Sequence, residues 1–173
     1  MPKNLEVKIP IAAIHDWKGR MRLLGAEFVR EVQQTDTYFT VARGRLKLRE
    51  VSDSESELIY YDREETENAR WSEYQIVPLR DSTGVKALLS RALGIKVVVE
   101  KRRQIFLYKN ARIHLDVVTG LGEFLELEVI EVDGPQRAYQ LLDFLLEKLS
   151  LENTEKVKVS YSDLIMRSSM DDM

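Results

Sequence analysis

Most of this chain alternates with a period of two. Residues 4–9 (NLEVKI), 35–41, 45–51 (RLKLREV), 57–63, 70–77, 97–108, 111–118 (ARIHLDVV), 123–132 and 156–160 each place apolar and polar side chains at opposite parities. Successive side chains of a strand point to opposite faces, so this pattern predicts eight or nine strands. The step at 108–111 reads as a tight hairpin with Asn110 in its turn, and Gly120 and Gly122 mark a second reversal. Three segments carry helical spacing instead: 11–24 ended by Gly25, 82–93 ended by Gly94, and 135–149 opened by Pro135. Residues 50–57 and 64–70 are rich in Ser and Glu and read as loops. Many short strands with few helices predict an α+β architecture, an antiparallel β-barrel with helices packed on it. One domain over 1–166 is expected, followed by a flexible tail at 167–173.

The polar parity is nearly all ionisable, and it sorts by strand. Glu6 and Lys8 share a face, as do Arg45, Lys47 and Arg49; Lys101 and Arg103; Arg112, His114 and Asp116; Glu126 and Glu128; and Lys156 and Lys158. One reading is a sheet with a wet outer face, which any single strand would fit. The other points the charges inward around a water-filled tunnel, with the apolar faces outward under the helices. Charges held in such an interior must be paired or must recruit counter-ions. Carboxylates converging from several strands would suit a hard divalent cation such as Mg²⁺ or Mn²⁺. The Lys and Arg rows would suit the fixed charges of a phosphate chain.

Composition narrows the alternatives. Lys and Arg number 26 against 29 Asp and Glu in 173 residues, so the chain lacks the basic footprint of a general nucleic-acid binder and stable nucleic-acid binding is not expected. It has no cysteine, which excludes disulfides, thiolate zinc sites and cysteine nucleophiles. No apolar run approaches the roughly 20 residues of a membrane helix, and the N-terminal segment has no apolar leader core. A cytoplasmic monomer or homodimer is expected. The GLG at 120–122 leads into a strand and has Leu125 where a dinucleotide loop needs glycine. His114 reads as a structural histidine, with assistance to proton transfer as the other reading. His15 takes no role.

The motifs NLEVK (4–8), QTDTYF (34–39), LKLRE (46–50), EKRRQIF (100–106), HLDVVTGLGEFLELE (114–128) and SYSDLI (160–165), in this order, resemble those of the CYTH superfamily of triphosphate tunnel metalloenzymes. That superfamily includes class IV-type adenylate cyclases, thiamine triphosphatases and inorganic tripolyphosphatases. The resemblance implies an eight-stranded antiparallel tunnel with a divalent metal, Mg²⁺ or Mn²⁺. It implies Glu6, Asp116, Glu126 and Glu128 as metal-binding, catalytic carboxylates. It implies Lys8, Lys47, Arg49, Lys101 and Arg103 as a phosphate clamp, Lys8 also counting as catalytic, with Lys158 or Lys156 added from the last strand. Two positions depart from the family pattern. Asn4 stands where the opening motif has Glu, and near Tyr60 and Tyr61, where some members carry Lys, only Arg63 is close enough to bind substrate. The activity implied is metal-dependent hydrolysis of inorganic tripolyphosphate or a nucleoside or other organic triphosphate. The alternatives are a cyclase making cAMP and pyrophosphate from ATP, and a non-catalytic polyphosphate-binding module.

Overall fold

The computed structural model describes residues 2–52, 54–65 and 69–172. Among these, eight strands and four helices run β1 (Lys3–Pro10), α1 (Ile14–Leu24), β2 (Glu27–Phe39), β3 (Arg45–Val51), β4 (Ser56–Glu65), β5 (Arg70–Leu79), α2 (Ser82–Leu93), β6 (Ile95–Tyr108), β7 (Ala111–Val118), β8 (Gly122–Ile130), α3 (Pro135–Lys148) and α4 (Tyr161–Asp171). The strands close into an antiparallel barrel in the order β1-β5-β4-β3-β2-β6-β7-β8, sealed by β1 against β8. Register runs Lys8 opposite Glu126, Glu126 opposite His114, Arg103 opposite Asp116 and Asp36 opposite Arg49.

This barrel is inverted relative to an ordinary one, because its oil lies outside the wall. Leu5, Val7 and Ile9 of β1, Ile113 and Leu115 of β7, and Leu125, Leu127 and Val129 of β8 are buried outward. They pack under Trp17 and Met21 of α1 and Ala138, Leu142, Leu145 and Leu146 of α3. Burying each large aliphatic side chain contributes roughly 1.5–3 kcal/mol, so this layer carries much of the fold's stability. α3 starts with Pro135 in its first turn behind Gly134 at φ 94, a conformation that favours glycine. α1 has no side-chain cap of its own; the Glu123 carboxylate accepts from the Ile14 N–H at 2.9 Å. α2 is capped by Asp81 accepting from the Gly84 N–H, yet it buries none of its residues.

One end of the barrel is plugged. α4 is set by a capping box in which the Ser160 side chain accepts from the Asp163 N–H while the Asp163 carboxylate accepts from the Ser160 N–H. Arg45 clamps the same carboxylate through two hydrogen bonds of 2.9 and 3.0 Å. Tyr161 then seats against Phe124 with ring centroids 5.1 Å apart, and Leu121, Val157, Leu164 and Ile165 join this inner apolar cluster. The other end is open, and its rim includes Arg30, Val51, Ser54, Glu55, Glu57, Ile76 and Ile105.

Several expectations need correction. Residues 156–160 do not form a strand; they run alongside β1 with Val157 N–H donating to the Lys8 carbonyl. The segment expected as a tail continues α4 as far as Asp171. β2 begins at Glu27, well before 35, because a bulge between Phe28 and Arg30 breaks the alternation. β4 extends to Glu65; the loop expected at 64–70 otherwise falls on 66–68, outside the described residues, and Ala69. Strands likewise claim 50, 51, 56 and 57 from the loop expected at 50–57. No helix among the described residues is long and apolar enough to cross a membrane.

Candidate active site

The ionisable rows read on β1, β3, β6, β7 and β8 face the lumen, which encloses a cavity of about 290 Å³. Glu6, Lys8, Lys47, Arg49, Arg63, Lys101, Arg103, Glu126 and Glu128 all line it, joined by Asn4, Arg112, His114 and Tyr161. Burying so many charges is tolerable only because cross-strand register pairs them.

The wall formed by β2, β3 and β6 is dominated by cations. Its one buried carboxylate, Asp36, accepts from Arg49 at 2.8 and 2.9 Å, from Lys47 at 3.1 Å and from Lys101 at 3.3 Å. Against the upward push of burial, these three neighbours hold Asp36 well below the usual carboxylate range. One negative charge facing three positive ones leaves the cations under-neutralised. Burial, with Arg103 nearby, pushes Lys101 down to about 7 despite the pull of Asp36. Burial and Asp36 together push the Tyr38 phenol up to about 12. On β4, the Arg63 Nε and Nη1 groups are buried without a hydrogen-bond partner, while Nη2 lies 3.3 Å from Glu6.

The opposite wall, β1, β7 and β8, carries the other carboxylates, and they fall into two kinds. Glu6 and Asp116 are committed to guanidinium groups. Arg70 donates to Glu6 at 2.9 Å. Asp116 is fully buried, receives two bonds of 2.7 Å from Arg103 and one of 2.8 Å from the Tyr161 hydroxyl, and does not line the cavity. Glu126 is held more loosely. Its only hydrogen-bond partner among the described residues is His114 Nδ1 at 3.2 Å, and Arg103 and Lys8 stand off at 3.6 and 3.7 Å. Glu128 accepts from Arg112 at 2.7 Å and from the Asn4 amide nitrogen. Burial lowers Lys8 to about 8 against the attraction of Glu126 and Glu6.

A divalent cation fits this second group. The Asn4 side-chain oxygen is buried with no partner. Asn4 is anchored through its nitrogen on Glu128, and its oxygen is a neutral hard donor in the same lumen. Ligand atoms of His114, Glu126 and Glu128 lie within 4.8 Å of one another. The tunnel thus gathers the expected residues except Asp116 and the C-terminal lysines Lys156 and Lys158. Asp116 sits behind Arg103, and Lys158 is exposed, contributing only its carbonyl to an Arg70 bond at 3.0 Å. Sequence reasoning gave no role to Asp36, Arg70 or Tyr161, whose weight comes from partners on other elements. For Tyr161 the SYSD capping signature was a usable signal.

Comparison with known proteins agrees with this geometry. The CYTH domain model matches residues 2–161. No curated protein matches significantly. Among solved structures, the PH1012 protein from Pyrococcus horikoshii is 25% identical, with a TM-score of 0.84 over 93% of this chain and 98% of that one. A candidate adenylate cyclase from Vibrio parahaemolyticus is 18% identical, TM-score 0.80, over 94% and 97% of the two chains. HpAC1 from Hippeastrum, a candidate adenylyl cyclase with a dominant triphosphatase activity, is 16% identical, TM-score 0.69, over 98% and 96%.

Proposed function

The chain belongs to the CYTH domain family, and from that premise we propose that it is a divalent-metal-dependent phosphohydrolase that takes a triphosphate end-on into its tunnel. The observation that carries this reading is the imbalance at Asp36, where Lys47, Arg49 and Lys101 share one carboxylate. Such a surplus of buried positive charge calls for an anion, and a phosphate chain meets fixed guanidinium and ammonium groups well. Arg63, with two N–H groups on the lumen side that have no hydrogen-bond partner among the described residues, adds a further donor from β4.

Glu126, Glu128 and the Asn4 oxygen would hold the cation. When bound, that ion would supply charge neutralisation to the phosphate oxygens and lower the pKa of a nearby water. The remaining work falls to the chain. Lys47, Arg49 and Lys101 fix the phosphates in line and offset the charge that builds on their oxygens in the transition state. Glu126 or Glu128 takes the proton of the attacking water. Glu6 and Asp116 act indirectly, holding Arg70 and Arg103 against the lumen.

Hydrolysis is preferred to cyclisation on size. A cavity of about 290 Å³ lies at the small end for an enclosed organic ligand, so a nucleoside would sit in the open rim rather than be pressed against the α-phosphorus. Phosphate release from tripolyphosphate and from ATP, each with Mg²⁺ or Mn²⁺, tests the reading. cAMP formation without phosphate release would replace it with the cyclase. Tight tripolyphosphate binding with no turnover under any divalent ion would replace it with the binding module.

A further inference from the structure

The geometry points to His114 as a nitrogen ligand of the tunnel's cation, which makes this a mixed nitrogen–oxygen site selective for Mn²⁺ and related first-row ions over Mg²⁺. The inference rests on the reading that a divalent ion occupies the tunnel, and adds which atoms hold it and which ion they choose.

Three observations lead to it. First, Glu6 and Asp116 carry charge-assisted bonds of 2.7–2.9 Å to Arg70 and Arg103, whereas Glu128 meets Arg112 and Asn4 through one oxygen, Oε1. Second, the acid that is least engaged, Glu126, faces an imidazole. His114 Nδ1 and Glu126 Oε1 are 3.2 Å apart. Neighbouring ligands of an octahedral ion with bonds of roughly 2.1 Å stand about 3 Å apart, so this pair already has the spacing of one coordination edge. Third, the oxygen of Asn4, a residue only 5% exposed, has no partner among the described residues, and the nitrogen of the same amide bonds Glu128. A buried carbonyl oxygen left unsatisfied at the rim of a His–Glu–Glu cluster is accounted for by a cation it would complete.

The consequence is a change in preference. Mg²⁺ dehydrates reluctantly and favours oxygen, whereas imidazole suits Mn²⁺, Co²⁺ and Zn²⁺ increasingly well. Replacing one carboxylate by the neutral Asn4, and drawing two others onto arginines, also leaves too little negative charge to hold two ions together.

The test needs no turnover. Mn²⁺ is titrated into the substrate-free protein and its pulsed electron paramagnetic resonance is read for ¹⁴N modulation from a directly bonded imidazole. One Mn²⁺ per chain with strong ¹⁴N modulation is expected. His114→Gln should abolish the modulation and cut the Mn²⁺ over Mg²⁺ affinity ratio about tenfold. His15→Gln should keep it, since the only other histidine is exposed on α1. Asn4→Ala should keep the modulation and weaken Mn²⁺ about tenfold. Mn²⁺ bound without ¹⁴N modulation in the unaltered protein, or two ions per chain, overturns the inference whatever becomes of the variants. Phosphate release with no ¹⁴N signal sinks the ligand and leaves the hydrolase; the signal without phosphate release does the reverse.

Discussion

The two walls of the tunnel handle buried charge in opposite ways. On the β2, β3 and β6 wall, one carboxylate serves three cations through four hydrogen bonds of 2.8–3.3 Å. On the β1, β7 and β8 wall, Glu126 has a single hydrogen-bond partner among the described residues, His114. The first wall is short of negative charge but tightly knit, so its acid is structural and its surplus charge suits an anion. The second is loosely knit around Glu126, and its charge suits a cation. Which side chains hold the fold and which hold ligands follows from how many partners each one already has.

This contrast breaks first at Asp36. Asp36→Asn leaves three buried cations facing one another and is expected to cost about 3–5 kcal/mol, the usual penalty for orphaning buried charge. Urea unfolding measures it, and added tripolyphosphate should restore more stability to the variant than it adds to the unaltered protein. A loss under 1 kcal/mol would mean the cations repel less than their burial implies. The reciprocal change, Glu128→Gln, should leave the unfolding free energy within about 1 kcal/mol of the original, since Arg112 is partly exposed. It should nevertheless weaken Mn²⁺ at least by the roughly 10–100-fold typical of losing even an outer-shell partner, as read by calorimetry.

The pH dependence sharpens the same distinction. Folded Lys101 titrates near 7, well below its ordinary 10.5, chiefly because it is buried. An anion favours its charged form, so triphosphate binding at pH 8 should take up a proton, seen as a buffer-dependent binding enthalpy, and affinity should fall as pH rises above 7. Lys101→Met should remove that uptake. For the free protein the sign is opposite. Between about pH 7 and 10.5 the unfolded chain binds the proton that folded Lys101 has released, so this residue's contribution to stability improves as pH rises through that window. The smallest expected effect lies at the plug: Ser160→Ala removes the α4 cap and should cost about 1 kcal/mol.

The barrel was legible because charge alternates cleanly where strands are regular. The bounds of β3 and β7 coincide with the runs read from sequence at 45–51 and 111–118. The first half of β2 was illegible because the bulge changes phase, turning Phe28 outward against Phe106 and Arg30 into the lumen. The lumen-facing residues were mostly legible as well, by parity. What parity cannot give is the partner. Asp36 sits among Thr and Tyr in QTDTYF and gains its importance from Arg49 across one seam and Lys101 across another. Asp116 and Glu126 share a pattern in sequence, yet Arg103 on the neighbouring strand claims one and leaves the other loosely held.

The plug formed by α4 makes the tunnel a cul-de-sac. Whatever goes in must back out through the doorway it used, so spent product obstructs the next arrival and should inhibit competitively. A long phosphate polymer could present only its tip, so the proposed hydrolysis would trim it from the end rather than cut it in the middle.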